Sequence, residues 1–179
     1  MKTAKRVIAA ALSLLLILTL SATAFADTAD DAEYRVTQGI LLALNGLEGA
    51  EYTVLGVEET ETGLEYERVK IVYQGNLSDY RSTLYMDCDE DGEEVMLYLF
   101  QLIRFREVDR EALLLELNDL NAEYKGVKFY LDEKQDSVTA EYYLPTTEKT
   151  AADAVLRGLK FMIGITDEAY ETVLADYAA

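Results

Sequence analysis

The sequence has no histidine and no tryptophan, and it contains one cysteine and one proline among its 179 residues. The absence of histidine excludes Ser-His-Asp and Cys-His catalysis and every metal site that uses a histidine ligand. A single cysteine excludes an intramolecular disulfide and cysteine-cluster zinc or iron–sulfur sites. Since the usual pairs of nucleophile and base are missing, we predict that the chain is not an enzyme.

Basic residues are also few, with 16 against 34 acidic ones. All the acidic residues lie after position 26 and three of the basic residues lie before it, so residues 27–179 carry a net charge of −21. A surface of this charge repels nucleic acid and anionic membranes. Half of the residues are nevertheless hydrophobic, which excludes a disordered acidic tail and, at this length, favours one folded domain.

The first 26 residues have the pattern of a secretory signal peptide. A basic segment at 2–6 precedes an apolar run from Val7 to Leu20, and residues 24–26, Ala-Phe-Ala, form a small-x-small cleavage site. The apolar run is shorter than the roughly 20 residues that a membrane-spanning helix needs. We therefore expect cleavage after Ala26, export to the medium or the exterior of the cell envelope, and no stable membrane insertion afterwards. An uncleaved anchor is the alternative.

Residues 27–179 are predicted to form one α+β domain in the order α-β-β-β-β-α-β-β-α-α. The periodicity predicts helices at 34–44, 109–125, 150–163 and 166–177 and strands at 51–58, 64–74, 79–87, 94–105, 127–132 and 137–144. Asp109 is the expected N-cap of the second helix, Gly164 is expected to end the third, and Thr166 is expected to cap the fourth. Because hairpins outnumber crossovers, we expect a mainly antiparallel sheet with helices packed on it.

Residues 117–132, with the sequence LNDLNAEYKGVKFYLD, resemble the YbjN family, in which a paired Leu-Asn helix end is typically followed by a Lys-Phe-x-Leu-Asp strand. The strand at 138–144, the helix after it and the hairpin with residues 89–92 at its tip extend the similarity over nearly the whole mature chain. The resemblance implies a fold like that of type III secretion chaperones, which bind proteins or pair into dimers, and it implies no settled biochemical activity. An extra strand before Asp109 and the export signal depart from the family pattern.

The segment from Asp87 to Gly92 matches the first half of a calcium-binding loop, because Asp87, Asp89 and Asp91 alternate before a glycine. Alternate carboxylates around a sharp turn can surround a hard cation. The twelfth loop position, however, is Tyr98 instead of the bidentate glutamate, and the flanking residues alternate as strands do. We interpret the segment as a β-hairpin tip and expect no cofactor. The alternative is an acidic structural or divalent-cation-binding envelope protein with calcium at these three aspartates.

Two further polar features have structural interpretations. Cys88 lies among acidic residues, which raise the pKa of a thiol and make it a poor nucleophile, although an unpaired cysteine in an exported chain can also form an intermolecular disulfide. Asn118 and Asn121 lie at one helix end, where we expect their amides to cap carbonyls or to hold an adjacent strand.

The strand at 94–105 is apolar on both faces, whereas a strand of a sheet that packs on the core with one face should be polar on the other. We assign the more aliphatic of the alternating positions to the helix-covered face: Leu84, Val95, Leu97, Leu99, Ile103, Val127, Phe129, Leu131, Val138, Tyr142 and Leu144. On the other face we expect Met96, Tyr98, Phe100, Tyr130 and Tyr143 to bind a protein or peptide, or the mate in a homodimer, since tyrosine and methionine are enriched in such surfaces. The alternative is that the first or last helix covers this face too. We therefore predict an exported protein-binding or self-associating module.

Overall fold

The computed structural model of the chain describes residues 29–74 and 81–178. Its helices are α1 (Arg35–Leu44), α2 (Arg110–Glu123) and α3 (Ala151–Thr172), and a short 3-10 helix, Leu174–Tyr177, follows α3. Its strands are β1 (Ala50–Glu59), β2 (Glu65–Gln74), β3 (Arg81–Cys88), β4 (Glu94–Arg104), β5 (Val127–Asp132) and β6 (Ser137–Pro145). The predicted signal peptide at 1–26 and the turn expected at Gly75-Asn76 lie outside the described residues.

The six strands form one sheet in the order β1-β2-β3-β4-β6-β5, and every neighbouring pair is antiparallel. The first four strands follow one another across the sheet. The chain then passes through α2, and β6 inserts between β4 and the edge strand β5. The predicted α+β class and antiparallel sheet are therefore confirmed, and the order of elements is confirmed except at the C-terminal helices.

The C-terminal part differs from the prediction, because residues 151–172 form one continuous helix instead of two. Gly164 does not end this helix, and the Thr166 hydroxyl donates a hydrogen bond to the Ile163 carbonyl at 3.1 Å inside it instead of capping a new one. Buried residues lie on both sides of the glycine, namely Val155, Leu159, Met162, Ile163, Ile165, Thr166 and Ala169. Packing of this stripe outweighs the roughly 1 kcal/mol that a glycine costs in a helix interior.

The α2 helix begins where the sequence predicts. The Asp109 carboxylate accepts hydrogen bonds from the backbone N–H groups of Glu111 at 3.1 Å and Ala112 at 3.2 Å, as an N-cap does. The buried residues of this helix are Leu113, Leu117 and Leu120. Of the helices in the described ranges, none is long and apolar enough to cross a membrane.

The hydrophobic core lies between the helices and one face of the sheet. Every position that we assigned to this face is buried, except Leu131 and Tyr142, which are half-buried and pack against the core. Gly92 at the tip of the β3–β4 hairpin has a φ of 67°, and a Cβ atom there would lie 2.7 Å from the Val36 side chain of α1. Only glycine combines this left-handed backbone with so close an approach.

Candidate interaction surface

The side chains that alternate with the core residues form the second face of the sheet, which we call the open face. The strand register places one line of residues across all six strands, called the central row: Thr53, Lys70, Tyr85, Tyr98, Glu141 and Lys128. The adjacent line, called the second row, contains Arg68, Asp87, Met96 and Tyr143. The face of the sheet opposite the core therefore carries both aromatic and charged side chains.

The five residues predicted to line a partner surface all lie on the open face. Phe100, Tyr130 and Tyr143 are 39%, 39% and 45% exposed, and Met96 and Tyr98 are half-buried among their neighbours. Within the described residues no helix covers these side chains, so the alternative of a sheet covered on both faces does not hold there. Their role in binding a partner stays a prediction.

Three aromatic rings are in contact at the centre of the open face. The rings of Tyr98 and Phe100 stack with centroids 5.4 Å apart and planes inclined by 5°, and the Tyr85 ring lies 5.2 Å from Phe100. Such contacts stabilise by about 0.5–1.5 kcal/mol beyond area burial. A shallow depression of about 490 Å³ borders this cluster and is lined by Thr83, Tyr85, Phe100, Gln101, Asp132 and Gln135. The aromatic surface is thus already formed in the single chain.

A bulge in β4 positions Phe100. The pairing with β6 passes from Leu99 directly to Ile103, so that three residues of β4 lie opposite one residue of β6. Gln101 in this bulge has a φ of 55°. Arg104 donates two hydrogen bonds, at 3.0 and 2.6 Å, to the side-chain oxygen of Gln101. The sequence predicted an uninterrupted strand here, because no glycine, asparagine or proline marks the bulge.

Asp87, one of the three predicted calcium ligands, is held in an ion pair on the open face. Arg68 donates from Nε and Nη2 to the two carboxylate oxygens of Asp87, each at 2.7 Å, and from Nη1 to Glu58 at 2.9 Å. Asp87 is 7% exposed; burial raises the pKa of its carboxyl group, and the hydrogen bonds from Arg68 oppose that rise. The same hydrogen bonds raise the pKa of Arg68, which stays charged. This bidentate ion pair fixes the side chains of Arg68 and Asp87 in the second row.

Asp89 and Asp91, the other two predicted calcium ligands, lie at the tip of the β3–β4 hairpin. The Asp89 carboxylate accepts a hydrogen bond from the Glu94 backbone N–H at 3.1 Å, and the Asp91 side chain is exposed. In the part of the chain that the structure describes, no three cysteine, aspartate or glutamate side chains are grouped to hold a metal ion. The hairpin interpretation is confirmed, while the affinity for calcium stays a prediction.

The single cysteine lies in the core. Cys88 is fully buried, and its Sγ donates to the Asp89 carbonyl at 3.4 Å. Burial raises the pKa of the thiol to about 12, and the charges of Asp89 and Glu67 add to the rise. The expected low nucleophilicity therefore holds, but its main cause is burial and not the acidic neighbours. A buried thiol also cannot meet a second chain, so the intermolecular disulfide is not supported.

A buried carboxylate that the sequence analysis did not single out anchors the segment before α1. Glu67 is 0% exposed on the core face of β2, and its oxygens accept hydrogen bonds from the backbone N–H groups of Glu33 at 2.6 Å and Tyr34 at 3.0 Å. Alternation with Val69 and Ile71 was the signal that places Glu67 on the core face. Its role is to satisfy donors that precede the first turn of α1.

Asn121 holds the edge strand β5 against α2. Its Nδ2 donates to the Phe129 carbonyl at 2.8 Å, and its Oδ1 accepts from the Phe129 backbone N–H at 2.7 Å. The structural interpretation of this amide is confirmed, whereas Asn118 is exposed on α2.

Comparison with known proteins supports the sequence resemblance. No match among curated proteins was found for the chain. The model of the YbjN family, described as "Putative bacterial sensory transduction regulator", matches residues 49–175. This match includes all six strands, α2 and α3, and it covers more than half of the chain. The chain therefore belongs to the YbjN family.

Proposed function

We propose that this chain is an exported, non-enzymatic YbjN module that binds a protein or a peptide, or a second copy of itself, through the open face. The observation that carries the proposal is the surface formed by the exposed rings of Phe100, Tyr130 and Tyr143 and the half-buried Met96 and Tyr98, which no described helix covers. Soluble monomers rarely expose a contiguous apolar patch larger than a few hundred Å². A partner that binds this face buries its aromatic side chains and shields them from water.

The non-enzymatic part of the proposal rests on the state of the reactive groups. Cys88 is buried and protonated, since its pKa is raised to about 12. Burial also raises the pKa of Tyr98 to about 12, with the charges of Asp87 and Glu141 adding to the rise. A neutral phenol is a hydrogen-bond donor with a large apolar body, which suits an interface better than acid–base catalysis near neutral pH.

The family description agrees with a binding role, because a regulator of sensory transduction acts through contacts with other macromolecules. Export is supported by the sequence of residues 1–26. Residues 27–179, the chain that cleavage after Ala26 would leave, are therefore the form in which the binding function is to be tested.

The test compares two substitutions at aromatic side chains of similar exposure. Phe100→Lys places a charge on the open face, and Phe161→Lys places the same charge on α3, where Phe161 is 44% exposed. Both variants are examined by circular dichroism, by light scattering and by cross-linking in the native envelope fraction. We expect Phe100→Lys to lose self-association or its cross-linked partner while Phe161→Lys retains both.

Equal association by the two variants would contradict the proposal. If Phe100→Lys does not fold, Tyr130→Lys takes its place, because Tyr130 is 39% exposed on the edge strand β5. A folded Tyr130→Lys variant with unchanged association also counts against the open face.

A further inference from the structure

Two charged residues of the open face, Lys70 and Glu141, occupy positions that are complementary to each other. In the central row, Lys70 on β2 and Glu141 on β6 lie on opposite sides of the Tyr85–Tyr98 pair of β3 and β4. A basic group and an acidic group are thus placed symmetrically about a line that runs between β3 and β4. Exchanging left and right across this line places Lys70 opposite Glu141 and places Lys128 opposite the uncharged Thr53.

We propose that the open face pairs with the same face of a second copy about a two-fold axis that runs along the strands between β3 and β4. This proposal rests on the proposed function and names its partner. The axis places Lys70 of each copy opposite Glu141 of the other, and Tyr85 opposite Tyr98. An axis across the strands would instead set Lys70 against Lys70 and Glu141 against Glu141, and like charges that face each other in an interface are unfavourable.

The charge balance of the central and second rows also favours a second copy over a basic partner. Residues 27–179 carry a net charge of −21, so most surfaces of two copies repel each other. The central and second rows differ from the rest of the surface, because Arg68 is paired with Asp87 and the charge of Lys70 is balanced by that of Glu141. The third basic residue, Lys128, donates a hydrogen bond from Nζ to the Asn121 carbonyl of α2 at 3.3 Å. Two copies can approach through these rows without the repulsion that the rest of the surface imposes.

The size of the face suits such a pair. Six strands spaced about 4.8 Å apart and about 27 Å long give a face of roughly 650 Å², on the order of the 800 Å² that each partner buries in a standard interface. Two sheets that pack face to face commonly align within about 30° of each other. An axis nearly parallel to the strands produces this arrangement, and a two-fold makes every contact twice.

Lys70 and Glu141 cannot form this ion pair within one chain. Three strand spacings, or about 14 Å, separate β2 from β6. An effect of one residue on the other must therefore be transmitted between copies, which makes a charge-exchange experiment diagnostic.

The experiment uses residues 27–179 and the variants Lys70→Glu and Glu141→Lys. Each variant alone sets two like-charged pairs in its homodimer, so we expect its self-association to be about tenfold weaker or more. An equimolar mixture of the two variants restores both opposite-charge pairs and should form a heterodimer. The double variant Lys70→Glu/Glu141→Lys should regain the wild-type homodimer. Sedimentation velocity and native mass spectrometry measure these species, and Lys160→Glu on α3 is the matched control.

The outcomes separate this proposal from the proposed function. A wild-type chain that stays monomeric at about 100 μM, a concentration that saturates micromolar interfaces, overturns the second copy as the partner. Binding of another protein, if Phe100→Lys abolishes it, then still supports the open face as an interaction surface. A dimer that is insensitive to both charge reversals and to their mixture overturns the two-fold arrangement.

Discussion

Replacing Glu67 with glutamine tests whether this buried carboxylate holds the N-terminal segment on the domain. The native carboxylate is 0% exposed and accepts two backbone N–H groups, at 2.6 and 3.0 Å from Glu33 and Tyr34. Glutamine retains one acceptor oxygen and turns an NH₂ donor toward the second N–H. The change keeps the volume of the side chain, so cavity formation does not contribute to the result.

The expected loss of stability follows from these contacts. A hydrogen bond to a charged group contributes about 1.5–3 kcal/mol, and a buried N–H group without a partner costs about 1–3 kcal/mol. A neutral amide is less costly to bury than a carboxylate, which offsets part of the loss. We therefore expect Glu67→Gln to lower the free energy of unfolding by about 2–4 kcal/mol.

Urea unfolding monitored by circular dichroism measures this change. With an m-value of about 2 kcal/mol/M, the midpoint should fall by roughly 1–2 M urea at unchanged slope. Glu65→Gln is the control, because Glu65 is exposed on the same strand, and it should change stability by less than about 0.5 kcal/mol. Faster hydrogen exchange at the Glu33 and Tyr34 amides should accompany the loss. A Glu67→Gln variant as stable as the control would refute this reasoning.

The remaining predictions concern export, calcium and alkaline pH. Intact-mass measurement of the exported chain should show that it begins at Asp27, and retention of residues 1–26 would instead support an anchor. Calorimetry should find no calcium site tighter than about millimolar; micromolar binding that Asp89→Ala abolishes would contradict this. The pKa of Tyr98, about 12 when folded and about 10 when unfolded, means that the folded state keeps this proton longer, so stability should be lost as pH rises from about 10 to about 12. Absorbance at 295 nm follows tyrosine ionisation, and the Tyr98→Phe variant should lack the part of the absorbance change that occurs near pH 12. If the variant instead lacks a change near pH 10, the Tyr98 ring is not buried.

The open face illustrates how far local sequence reasoning reaches. Alternation in β4 placed Met96, Tyr98 and Phe100 on one side and the aliphatic residues on the other, and the burial of those residues agrees. The alternation of a strand is a property of its own backbone, so it can be read without knowing the neighbouring strands. The position of Lys70 opposite Tyr85, and therefore the charge order of the central row, depends on strand pairing and was not predicted.

The sequence by itself determined the elements whose signals are local: the alternating strands, the Asp109 cap of α2 and the β3–β4 hairpin. The tertiary structure alone decided that β6 lies between β4 and β5 and that α3 continues through Gly164. It also decided that Glu67 accepts hydrogen bonds from the backbone N–H groups just before α1. These features depend on contacts between residues far apart in the chain. There, burial of a common core outweighs local preferences of about 1 kcal/mol, such as the cost of a glycine in a helix.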